Sequence, residues 1–157
     1  MEEKLKKMGL FLPNASSPGG KYVSVNIRGT IGYVAIQFPI IENKYFYLGR
    51  LGAEVNTRDG YQAMQFCALN VLSQIKKHVD MDNFIGLNHI DAYYQGSKGW
   101  DDAPKVVDGA SELFLEILGE KGQHARAIFG VESLPRNFSV GLTASFTFKK
   151  RGRSQGE

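Results

Sequence analysis

Apolar and polar positions first alternate in two short runs. Across residues 22–28 and 31–38, β-branched and aromatic side chains flank Gly29 and Thr30, the pattern of two antiparallel strands closed by a tight turn. The period then lengthens. Met64, Cys67, Ala68, Val71, Leu72, Ile75 and Val79 recur at three- and four-residue spacing, which gathers them on one stripe of a helix. Asn56 or Thr57 supplies its cap, and Lys76, Lys77 and His78 fall in its last turn, where positive charge complements the helix dipole. Phe66 and Leu69 widen the apolar surface beyond the stripe, an excess that contact with another subunit would absorb. Residues 84–95 return to period two, with Ile90, Ala92 and Tyr94 on one side and Leu87, His89, Asp91 and Tyr93 on the other. A second helix opens near Pro104, turns Val107, Ala110, Leu113, Phe114, Ile117 and Leu118 inward, and stops at Gly119. Strands over 124–131 and 139–148 follow, separated by Leu134 and Pro135, while residues 45–49 read either as a short strand or as a loop.

This order predicts an α+β fold, a mixed sheet with two helices packed on one face. The other face then needs a cover, and a copy of the same chain is the simplest one, so that clefts between subunits become candidate sites. Residues 12–20 are rich in Pro, Ser, Asn and Gly, which makes 1–21 an extended lead-in, 22–148 the domain, and 149–157 a disordered basic tail.

Composition narrows the chemistry. The 157 residues carry 19 basic and 16 acidic side chains for a net charge of +3, and Lys149, Lys150, Arg151 and Arg153 hold much of the excess. The body is close to neutral, which weighs against an extended nucleic-acid surface. The basic end lacks interleaved aromatics, so a solvated tail explains it better than an RNA contact. A single cysteine, Cys67, excludes an internal disulfide and every multi-cysteine zinc pattern, and on the apolar stripe it reads as a buried hydrophobe rather than a nucleophile. The apolar stretch near the N-terminus is too short for a signal peptide and no run is long enough to span a bilayer, so a cytoplasmic location is expected. His78, His89 and His124 are scattered; His89 and Asp91 share a strand face and form either a proton-handling pair or part of an interface. Tyr93, Tyr94 and Trp100 either line a pocket or pack the sheet.

Three motifs then arrive in order: Gly49-Arg50-Leu51-Gly52-Ala53-Glu54, Pro104-Lys105-Val106-Val107-Asp108-Gly109-Ala110-Ser111, and His124-Ala125-Arg126 with Leu134-Pro135 after it. In these the chain resembles the Rid/YjgF family over roughly residues 12–148, and in particular its longer branch of about 150 residues. The resemblance implies a chorismate-mutase-like fold, a homotrimer, and three ligand sites in the clefts between subunits. It implies no cofactor and no metal. The activity it implies is hydrolysis of the enamine or imine form of a 2-amino acid to a 2-oxo acid and ammonia, although family members are also labelled endoribonuclease.

Arg126 matches the family's arginine, whose planar guanidinium can take both oxygens of a small carboxylate ligand. Tyr22 is similar in placement to the family's N-terminal aromatic, Gln37 falls in the segment that ends the second strand, and His124 would share a strand face with Arg126. Arg126 is read either as this anchor or as a structural arginine paired with an acid. The departures are equally specific. Ala35 and Ile36 stand where many members have serine and glycine, Ile128 stands for a frequent cysteine, and Gly141 stands where deaminases carry a glutamate. Two functions follow: a Rid-type deaminase, or a trimeric binder of small carboxylates without turnover. RNA binding or cleavage is a third and weaker reading.

Overall fold

A computed structural model of the chain describes residues 1–150. The expected tail lies mostly outside the described residues, and Lys149 still donates its backbone N–H to Asn83, at 2.7 Å.

The hairpin forms as β1 (Val25–Arg28) and β2 (Ile31–Gln37), turning through Gly29 at φ 62°. A second, two-stranded ribbon follows, β3 (Ile40–Ile41) and β4 (Lys44–Tyr45), closed by Glu42 and Asn43, both at positive φ. Its second strand ends on Tyr45, the first residue of the segment read as either strand or loop. The remaining elements are α2 (Thr57–His78), β5 (Phe84–Tyr94), α3 (Ala103–Leu118), β6 (Ala125–Gly130) and β7 (Val140–Phe148). The Asn56 side chain accepts the Asp59 amide at 2.8 Å, which caps α2 as its sequence predicts.

The large sheet runs β1-β2-β7-β5-β6, with β5 and β6 parallel and the other neighbours antiparallel. β7, last in the chain, lies between β2 and β5. Helices α2 and α3 pack together on one face, and Met64, Leu72, Ile75, Leu113 and Phe114 are buried there against Ile90, Leu142 and Phe146.

Three differences from the sequence reading have local causes. The lead-in is not extended throughout: Glu2–Lys7 forms α1, with acids in its first turn, lysines in its last, and Leu5 buried in the core. Beyond it the chain is docked, because Ser73 donates to the Pro13 carbonyl at 2.6 Å and Gln74 to that of Ser16 at 2.9 Å. Leu87 joins the core rather than the face of His89, because the register shifts between Leu87 and His89. Phe66 needs no second subunit, since it packs edge-on to Phe46 and against Tyr47, while Leu69 is buried within the chain.

Among the described residues, none covers the sheet face away from the helices. Tyr33 (53% exposed) and Phe129 (45%) stand on it, and Phe129 stacks on Tyr93 with ring centroids 5.4 Å apart.

Candidate functional site

The predicted site residues separate into two groups. Tyr22, Ile36 and Gln37 meet in a pocket of about 530 Å³ at the end of β2, within the range of small-ligand sites. The docked lead-in supplies one wall through Ser16 to Gly19, and Asn70 of α2 another, its amide donating to the Phe38 and Ile40 carbonyls at 2.9 and 2.8 Å. Phe38 and Phe138 stack at 4.5 Å to form an aromatic floor. Tyr22 is fixed by its hydroxyl, which accepts the Gly19 amide at 3.0 Å, and Gln37 by donation to the Ala35 carbonyl at 2.9 Å. Arg136 also lines this pocket, a residue that the sequence reading passes over.

Arg126 and His124 lie elsewhere. Arg126, Ile90, Ala144 and Val34 are register partners in turn across β6, β5, β7 and β2, so Arg126 stands three strand spacings, roughly 14 Å, from β2. It projects from the edge strand onto α3. Its Nη1 donates to Asp108 at 2.8 Å and to the Ser111 hydroxyl at 3.1 Å. His124 lies 2.9 Å from the same hydroxyl through Nε2, and 2.6 Å from the Gly122 carbonyl through Nδ1. A carbonyl only accepts, so Nδ1 carries a proton toward Gly122. The sequence does not mark Asp108 and Ser111 as partners, because nothing in their own spacing points across to β6. Arg126 thus combines a structural and an anchoring geometry: it is ion-paired within the chain, and its Nε and Nη2 have no partner among the described residues.

The departures from the family pattern are coupled in space. A Cβ at Gly141 would come within 2.7 Å of Ile36 Cδ1 and 3.0 Å of Phe38 Cε1. Ile36 therefore fills the volume that a side chain at 141 would enter. His89 and Asp91 do pair, at 2.8 Å, beside Tyr33 and Ser145 on the open sheet face. Trp100 packs edge-on to Tyr94 and donates to Thr57, a structural role. Cys67 is buried, and desolvation pushes its thiol pKa well up, which removes it as a nucleophile. Among the described residues no three His, Cys, Asp or Glu side chains gather as a metal site, and no helix is long and apolar enough to cross a membrane.

The model of the YjgF/chorismate mutase-like endoribonuclease family matches residues 2–148. The chain belongs to the YjgF family. Protein TCP17 of Trypanosoma cruzi is 32% identical to this YjgF domain over 142 residues, 89% of each chain. The crystal structure of Atu1372 from Agrobacterium tumefaciens, a protein of unknown function, is 32% identical, covers 94% of this chain and 92% of its own, and superposes with a TM-score of 0.89. E. coli TdcF with bound serine shares the fold at 14% identity, with 85% of this chain and 93% of its own covered and a TM-score of 0.64. The two helices on a mixed sheet are thus the fold of the YjgF family.

Proposed function

We infer that this YjgF protein is a deaminase of small imino acids that works between copies of itself, as a homotrimer. The observation that carries the reading is the separation of the matched residues into a pocket half, with Tyr22, Ile36 and Gln37, and an edge-strand half, with Arg126. Neither half is a complete site. Setting the edge strand of one copy against the pocket of the next joins an arginine to a cavity of ligand size. TdcF, a protein of the same fold, has been seen with serine, a ligand of the same small-carboxylate class.

The chemistry asks little of the protein. Asp108 and Ser111 hold Nη1 of Arg126 and leave Nε and Nη2 to take a carboxylate in a bidentate grip, where each charge-assisted hydrogen bond contributes about 1.5–3 kcal/mol. Water then adds to the imine carbon, the nitrogen takes a proton, and collapse of the carbinolamine releases ammonia and the 2-oxo acid. A cytoplasmic location accompanies this reading. Generating imines with an amino-acid oxidase tests it. Purified protein should speed imine decay over buffer, and Arg126→Ala should slow that turnover by roughly tenfold or more, the loss of one or two such hydrogen bonds. Equal decay with and without protein, across several amino acids, would overturn the reading.

One observation favours a second reading, a carboxylate binder without turnover. Ile36 occupies the volume beside Gly141 where the family's deaminases carry a glutamate. That reading expects 2-oxo acids to raise the melting temperature of the parent but not of Arg126→Ala, with no imine decay.

A further inference from the structure

The pocket half carries a cation of its own. Its fifteen lining residues include no acid and one charged side chain, Arg136. That guanidinium has no hydrogen-bond or ion-pair partner among the described residues, so its donors are free.

The turn presenting Arg136 is held in an unfavourable conformation. Arg136 (φ 54°) and Asn137 (φ 63°) are consecutive non-glycine residues in the left-handed region, each at a cost that persists only where surrounding structure fixes it. The fixture is Gln95, 1% exposed. Its Nε2 donates to Asn137 Oδ1 and to the Gly49 carbonyl, both at 2.9 Å, and its Oε1 accepts the Leu134 amide at 2.8 Å. The Gly49 amide in turn donates to the Asn137 carbonyl at 2.8 Å, and Phe138 is locked on Phe38. A buried amide thus spans both ends of the turn, and the residue so presented is a free arginine beside an aromatic floor.

We propose that Arg136 is a second anion anchor, and that the preferred acids carry a second carboxylate at the end of a short aliphatic chain. This rests on the inter-copy site inferred above: Arg126 of one copy holds the carboxylate next to the imine, and Arg136 of the next copy holds the far one. The aliphatic links between them lie on Phe38 and Phe138, and Ile36 keeps the volume beside them apolar. Arg136, in a pocket lined by no acid, and Arg126, with Nε and Nη2 left open beside Asp108, suit a dianion, whereas a monocarboxylate leaves Arg136 unused.

Calorimetric titration of the full-length protein with 2-oxoglutarate and 2-oxobutanoate tests this. The parent should bind 2-oxoglutarate at least about tenfold more tightly, the scale of one charge-assisted contact. Arg136→Gln, and separately Arg136→Asn, which suits the left-handed backbone, should bring that ratio close to one. A parent ratio near one, a ratio that survives in both variants, or no binding of either probe would overturn the proposal. Arg126→Gln separates this from the underlying reading. If the 2-oxoglutarate preference survives in Arg126→Gln with affinity for both acids intact, the inter-copy site fails; if Arg126→Gln weakens both acids while Arg136→Gln leaves their ratio unchanged, only the role of Arg136 fails.

Discussion

Ile36 and Gly141 show how two single-residue departures can be one event. Each taken alone reads as a loss, of a glycine that leaves room and of an acid that handles protons. In space they exchange volume, since Ile36 Cδ1 stands 2.7 Å from where a Cβ at 141 would be. Gly141→Glu should therefore destabilise the fold by about 1–3 kcal/mol through overpacking, and Ile36→Gly should cost about 2–5 kcal/mol through the vacated space. Combining them should be clearly less harmful than the sum of the two, because the sites are in contact. Urea melts of the three variants measure this, and strict additivity would refute the exchange. The residues themselves were legible from sequence, as were Arg126 and its spacing to Leu134. Their partners were not. Asp108 and Ser111 meet Arg126 only because α3 crosses over β6, and Arg136 meets Tyr22 only because the lead-in folds back across the end of β2.

Among elements, the ones read correctly were those with enough turns or pleats to show a period. The twenty-two residues of α2 repeat their stripe many times over, whereas the six of α1 offer Leu5 as the single buried apolar position. A lone leucine among charges carries no periodicity, and tertiary burial rather than propensity holds such a helix. Leu5→Ala should lower stability by about 2–3 kcal/mol, and amide exchange should show protection lost over residues 2–7 with the sheet unaffected. Full retention of protection there would mean that α1 does not depend on its docking. The bulge in β5 is the other illegible feature: alternation places Leu87 with His89, and one register shift returns it to the core.

For the whole molecule, two helices cover one side of a five-stranded sheet and leave Tyr33 and Phe129 facing outward on the other. The proposed assembly of copies would bury both of these aromatics. Sedimentation velocity should give a trimer for the parent, and the double substitution Tyr33→Asp with Phe129→Asp should shift it to monomers while the far-ultraviolet spectrum is retained. A monomeric parent would count against the site between copies. Layer order and helix placement were readable from patterning, but strand order was not, because alternation says which face a residue takes and nothing about its neighbour across the sheet. The position of β7 between β2 and β5 also bears on how the protein is made. A chain leaving the ribosome has both of those strands finished, each with an open row of amides and carbonyls, before the strand that joins them has been synthesised. The sheet therefore closes only once Val140–Phe148 has been synthesised, and a message cut short before Val140 yields two exposed edges rather than a smaller domain.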